Sequence, residues 1–458
     1  MNFNIKRAIS TLALSAALAT TLSAQTTLSG YFVDDYTYRF QMNPAYGNSQ
    51  GFVSFPGLGN LNISMNGNLH VSSILYNLNG RTTTFLNPGI STAEALGKFH
   101  DKNRLGTDLQ LNIMSVGFKA LGGYNTVNIS ARTAVDASLP GSMFSLLKEG
   151  LSNREYHIGN LKANGIAYGQ IALNHSRDIT PDIRVGATVK ILLGAGYFNA
   201  DMKETKLDLG EDSWHVQTDA EVRASVKGLE FEKDYNETTG HEYVSGVNLD
   251  GPGLNGFGLA FDLGAIYKTP VEGLTVSAAI NDLGFISWSN DLVATTNGVK
   301  TFDTDRYTFN VDDNAPNSFE KEFDKVKDDL SALYELEDMG NQGGRASGLR
   351  ATLNIGAEYK FPLYDKLSFG LMNSTRIAGN FSWTDFRLSA NVAPCKIFSG
   401  GINLGVGTFG ASFGWLANLH LTGFNLFIGM DHVPGKLAKQ GVPLSSNMQV
   451  NFGLNFPF

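Results

Sequence analysis

Residues 257–268 read Phe-Gly-Leu-Ala-Phe-Asp-Leu-Gly-Ala-Ile-Tyr-Lys, and their spacing decides the fold class. Phe257, Leu259, Phe261, Leu263, Ala265 and Tyr267 share one phase, while Gly258, Asp262, Gly264 and Lys268 fall in the other. Successive side chains of a strand point to opposite faces, so this segment has one apolar and one polar face. The pattern recurs outward from it in both directions. Val127, Ile129, Ala131, Val135, Ala137 and Leu139 oppose Asn128, Ser130, Arg132, Asp136 and Ser138. Leu349, Ala351, Leu353, Ile355, Ala357, Tyr359 and Phe361 oppose Arg350, Thr352, Asn354, Glu358 and Lys360. At the C-terminus Val450, Phe452, Leu454, Phe456 and Phe458 oppose Gln449, Asn451, Gly453 and Asn455.

A soluble sandwich also alternates, but these segments run 9 to 13 residues. That exceeds the usual five or six and matches the length that crosses a bilayer at a tilt. Their polar faces carry Gly, Asn, Ser and isolated charges, which suit a wet or polar-packed lumen. A closed barrel pairs every strand edge, the condition for a sheet to survive in hydrocarbon. The chain is therefore read as all-β, a transmembrane antiparallel β-barrel. Composition agrees: charged residues are 17%, with 51 Gly, 30 Phe and 16 Tyr among 458 residues. So little charge and so many aromatics exclude a disordered chain. That much Gly argues against a helical enzyme. The single Cys395 excludes an intramolecular disulfide or a Cys metal cage, and a net charge of −8 gives no footprint for nucleic acid.

The N-terminus reads as a secretory leader. Lys6 and Arg7 precede a largely apolar run to Leu22, and Leu22-Ser23-Ala24 supplies a cleavage site before Gln25. The run is shorter than a membrane anchor needs, and no Cys follows it for lipidation. Residues 1–24 are thus expected to be a signal peptide cleaved after Ala24, with the chain exported to a bacterial outer membrane. After Gln25 no apolar run is long enough for a transmembrane helix.

Connection lengths count the strands. Candidates lie near 61–76, 107–119, 125–137, 166–177, 183–195, 257–268, 274–288, 350–361, 367–374, 381–393, 396–406, 409–417, 422–431 and 448–458. Short connections at 121–124, 178–182, 269–273, 362–366, 394–395 and 418–421 fall after every second strand, as periplasmic turns do. Trp214 to Lys227 also alternates, but counting it would make the total odd, so it reads as an extracellular β-excursion. About 14 spanning strands result, over residues 61–458. Residues 25–60 lack a spanning pattern and carry Tyr31, Phe32, Tyr36, Tyr38 and Phe40, which favours a segment packed in the lumen over a frayed periplasmic tail. In the long loop 289–349, Phe319, Phe323, Val326, Leu330 and Leu333 recur at helical spacing behind a capping box at Asn317 and Glu320. A helix is expected near 318–338. Asp303 to Asp338 holds twelve acidic against four basic residues, read as a solvated face on the rim or as an acidic lid or docking element.

Asn43-Pro44-Ala45, ahead of 14 expected strands, resembles the FadL-like outer-membrane transport proteins. In that family an Asn-Pro-Ala motif sits in the N-terminal hatch that closes the lumen. The resemblance implies that residues 25–60 are a plug with Asn43, Pro44 and Ala45 as its motif. The terminal Phe458 looks like the aromatic signal read by the barrel-assembly machinery. The overall style, with Gly-rich strands, resembles uncharacterised Bacteroidota members of the superfamily. No motif identifies ligand-binding residues.

Several spellings of chemistry fail on context. Gly251 to Gly256 and Gly405 to Gly410 match the dinucleotide fingerprint, but strands follow both where a helix is required. Gly410-Ala411-Ser412-Phe413-Gly414 spells a nucleophile elbow inside an alternating strand. The eight histidines lack metal-helix spacing, and the acidic loop lacks EF-hand spacing. No catalysis, metal or cofactor is implied. The expected function is passive uptake of a small hydrophobic or amphipathic molecule through a plugged barrel, with outer-membrane lipid around it. The rival is a non-transporting barrel that docks a protein, such as a secretion-system component. An open porin is disfavoured by the expected plug. The phase slip between Ile113 and Val116 marks a candidate kink for a lateral path.

Overall fold

The computed structural model describes residues 27–55, 59–149, 155–209, 214–237, 240–303, 325, 329, 333, 335–433 and 447–458. Fourteen strands close into one antiparallel barrel. The first, β1, is in two pieces, Phe52–Ser54 and Asn60–Gly67. There follow β2 (Lys102–Ala120), β3 (Gly123–Pro140), β4 (Leu161–Asp178), β5 (Ile183–Leu209), β6 (Gly256–Lys268) and β7 (Leu274–Trp288). The second half comprises β8 (Ala351–Lys360), β9 (Leu367–Ile377), β10 (Trp383–Cys395), β11 (Phe398–Gly407), β12 (Gly410–Leu421), β13 (Phe424–His432) and β14 (Met448–Pro457). Each strand pairs with its sequence neighbour. Closure comes from β14, whose Phe456 and Pro457 meet Val53 and Phe52, and whose Phe452 meets Leu61. Both pieces of β1 pair on their other side with β2.

The apolar phase of the strands faces out. Phe257, Leu259, Phe261 and Leu263 on β6, Leu388 on β10, Ile402 and Leu404 on β11 and Phe452 on β14 are all exposed. The opposite phase is inside: Asn128, Ser130, Asp262, Asn354, Asn403 and Asn451 are buried. A closed barrel with an apolar outer belt and polar interior is built for hydrocarbon, where every backbone polar group must be paired internally.

Boundaries differ from expectation in places. Residues 394–395 and 419–421 are still strand; the tight turns fall at Lys396-Ile397 and Thr422-Gly423. Gly423 takes a positive φ of 90° there, a conformation that costs a glycine little. The expected first strand, 61–76, stops at Gly67. Beyond it, residues 68–101 form an outer module with a short hairpin, Leu75–Leu78 with Arg81–Thr84. Its own apolar core includes Tyr76, Phe85 and Phe144. Phe144 comes from the helix Gly141–Glu149 and stacks on Phe99 at 4.0 Å. The leader 1–24 and most of the helix expected near 318–338 lie outside the described residues. The end of that span is strand: Glu337–Asn341 pairs with Leu292–Thr295.

The excursion is also a pairing fact. The upper part of β5 runs past the barrel and pairs with Trp214–Val226, which in turn pairs with Leu292–Thr295 and Lys300–Asp303. A hairpin, Leu229–Asn236 with His241–Leu249, stands at its end. The phase slip after Ile113 is a register shift between β2 and β3 at Asn112/Met114. It lies beside the break in β1, where Ser54 Oγ accepts from the Ser115 N–H at 3.0 Å.

Candidate functional site

Residues 27–50 run through the lumen, touching strands on every side of it. At one end the Leu28 and Ser29 N–H groups donate to Asp431 of β13 at 2.6 and 2.7 Å. Tyr31 OH meets Ser277 of β7 at 3.0 Å, and Ser399 of β11 donates to the Asp34 carbonyl at 2.8 Å. Tyr36 OH donates to Asn451 of β14, and Asn455 of the same strand donates to Thr37. The aromatic residues of the segment form its core. Tyr31, Tyr36 and Tyr38 are completely buried with Phe52, Leu416 and Phe427 of the wall, in edge-on contacts such as Tyr36 on Phe427 at 5.0 Å.

Asn43, Pro44 and Ala45 follow in the same segment, against β4 to β8. The Asn43 side chain accepts from the Ala45 N–H at 3.0 Å, a local turn of the kind Asn favours. Its amide donates to Tyr31 OH at 3.3 Å and to the Ala265 carbonyl of β6 at 3.4 Å. The carbonyls on either side are taken by the wall: Asn281 and Asn354 donate to Met42 at 2.7 and 2.9 Å, Asn174 to Pro44 and Arg184 to Ala45. Two wall glycines allow the approach. A methyl group at Gly186 would run into the Pro44 carbonyl, and one at Gly264 into the Asn43 side chain. Neither glycine announces itself in a Gly-rich chain, because only the seated segment gives it a reason. Phe458 projects from the barrel's end, largely exposed; its N–H donates to the Gly51 carbonyl at 2.9 Å.

Above the segment lies a chamber of about 630 Å³. Its apolar lining includes Leu109, Ile166, Leu349, Ile377 and Phe381, with Tyr168 and Tyr197 beside them. Between these run ion pairs that cross the lumen. Arg376 of β9 meets Asp108 of β2 at 2.6 Å, although the two strands stand on opposite sides of the barrel. Arg350, just before β8, pairs with Asp136 of β3 and lies 3.7 Å from Asp108. Arg132 of β3 meets Asp282 of β7 at 2.8 Å, and Lys190 joins Asp282 and Asp262 at 2.6 Å each. A hydrogen-bonded rail continues from Arg350 to Asn164, Tyr197 and Arg345. Arg345 Nη1, Arg350 Nη1 and Arg376 Nε have no hydrogen-bond acceptor among the described residues. The charges Arg132, Asp136 and Arg350 were visible on the polar phases of the sequence; which charge pairs with which was not, because Arg132 finds Asp282 and Asp136 finds Arg350 across long stretches of chain.

On the β-excursion, Arg223 binds Glu221 at 2.7 Å and Asp291 at 2.6 Å, and the hydrogen bond from Arg223 holds the Glu221 carboxyl below its usual range. Ser412 is mid-strand in β12, and Thr408-Phe409 is simply the turn between β11 and β12. No group of three or more potential metal ligands occurs among the described residues.

Comparison with known proteins gives one family and a set of distant folds. The family described as of unknown function, DUF5723, matches residues 44–431. No curated protein matches the sequence. Among solved structures, the Ralstonia pickettii toluene transporter TbuX is similar at 10% identity and a TM-score of 0.41, over 96% of this chain and 99% of that one. The P. putida toluene transporter TodX is similar at 8% identity and a TM-score of 0.38, over 91% and 92%. A Pseudomonas aeruginosa FadL homologue is similar at 10% identity and a TM-score of 0.36, over 95% and 98%.

Proposed function

We propose that this chain, which belongs to the DUF5723 family of unknown function, is an outer-membrane barrel for passive uptake of a small amphipathic molecule. The observation that carries the reading is the lumen itself: residues 27–50 occupy one part and a chamber of about 630 Å³ the other. That size suits a small ligand, and its lining alternates apolar side chains with ion pairs. The segment 27–50 acts as the plug, held by scattered hydrogen bonds to many strands rather than by one continuous sheet, an arrangement that can release stepwise. Export through a leader ending at Ala24 and assembly through Phe458 belong to the same reading.

The test is removal of the plug. A variant lacking residues 27–50, reconstituted in liposomes, is expected to admit small polar solutes much faster than the intact chain while keeping a heat-modifiable barrel. Unchanged permeability of a correctly folded deletion variant would sink the uptake reading. The second reading, a protein-docking barrel, is favoured by the extracellular hairpin 229–249, whose Tyr235, Val247 and Leu249 are exposed. Retention of a protein partner that depends on this hairpin, with no solute flux, would support it instead.

A further inference from the structure

Of the charges around the chamber, Arg132 and Lys162 are held by Asp282 and Asp201, and four others meet across the lumen. Asp108 and Asp136 stand on β2 and β3, while Arg350 and Arg376 face them from the β8–β9 side. Their contacts bridge the lumen at the chamber, so a solute that takes the place of these contacts separates them. An anion alone would satisfy the arginines and leave two nearly buried carboxylates without a cation. A cation alone would strand the guanidinium groups in the same way. A neutral molecule would strand both, and buried charges that lose their partners are strongly unfavourable. A solute carrying both charges restores each half of the broken pairs. Arg376 Nε also has no hydrogen-bond acceptor among the described residues, which leaves it as a donor for a carboxylate to accept from.

We propose that the chamber selects a zwitterion with an apolar body, the chemistry of an apolar amino acid or a short peptide. Its carboxylate sits on Arg350 and Arg376, its ammonium group on Asp108, and its side chain against Leu349 and Ile377, with Asp136 behind Arg350. The inference rests on the uptake reading and narrows it from any amphipathic solute to one class.

Four probes of similar shape separate the cases: phenylalanine, 3-phenylpropanoate, 2-phenylethylamine and 2-phenylethanol. Binding to the purified full-length protein is measured by calorimetry, and flux in proteoliposomes. Phenylalanine is expected to bind at least tenfold more tightly than each of the other three and to cross fastest. The double variant D108N/R376Q is expected to lose that preference while its barrel remains heat-modifiable. Should the variant not assemble, binding of the four probes to the unaltered protein decides the matter alone. Equal or tighter binding of the anion, the amine or the alcohol overturns the zwitterion proposal. Tight phenylalanine binding without flux of any probe, even after plug removal, overturns the uptake reading and leaves the site standing.

Discussion

At the scale of single residues, Asn43-Pro44-Ala45 and the wall are a fit between two surfaces. Asn43 is buried with its carbonyl oxygen used locally and its amide used on the wall. Gly186 and Gly264 exist as glycines because Pro44 and Asn43 approach where a side chain would stand. Gly264→Val is expected to push the motif away at a cost of about 1–3 kcal/mol, as overpacking does. Limited proteolysis checks this: cleavage within 27–50 should rise in the variant while the strands stay protected. Arg387 makes a second case. It is nearly fully buried, binds Asp385 at 2.7 Å and lies 3.6 Å from Asp431, the carboxylate that anchors the plug's first residues. Arg387→Met leaves both acids without their cation, a loss on the order of 3–5 kcal/mol for a buried pair. It should appear as a lower temperature for the heat-induced mobility shift. A normal shift temperature would show that the plug anchor stands without it. Phe458→Lys is expected to cut the yield of folded protein in the outer membrane; undiminished yield would place the assembly signal elsewhere.

At the scale of elements, the strands divide into those that only span and those that extend. β5 pairs with β6 only as far as Gly194 but runs on to Leu209, and over Gly196 to Leu209 it finds a new partner in Trp214–Val226. The hairpin 229–249 is closed at its base by the Asp250 N–H on the Gly228 carbonyl at 2.8 Å. Excising 229–249 and joining the ends through a short turn should therefore leave a heat-modifiable barrel of unchanged solute flux. Loss of the folded species would mean that the hairpin supports the barrel through its Val244 N–H on Leu336. The first strand is the exception among spanning elements, being in two pieces, Phe52–Ser54 and Asn60–Gly67, beside the bulge of β2. Alternation in the sequence slips at that bulge for a physical reason: an extra residue shifts the phase of every side chain after it.

At the scale of the molecule, a 14-strand barrel with few helices follows from repeated alternation, and a far-UV spectrum should be dominated by β-structure. A helix-dominated spectrum would contradict the fold outright. Stability is expected to be barrel-like, with all edges paired by the β14–β1 closure. The lumen is a different matter, since its contents join residues far apart in sequence, as the Asp431 anchor of Leu28 does over 403 residues.

The sequence by itself determined the strand count, the order of turns and long connections, and which face of each strand points outward. Those properties are local: a two-residue period and a turn are written within a dozen residues. Asn43, Pro44, Ala45 and Phe458 could be singled out there as motifs, and the segment around the first three as aromatic. Only the tertiary structure decided what Asn43 touches, why Gly186 and Gly264 carry no side chain, and that Asp108 meets Arg376. Each of those contacts depends on closure of the barrel, which sets strands β2 and β9 face to face across the lumen. Alternation fixes that a charge points inward, but the curvature and shear of the whole sheet fix which charge it finds there.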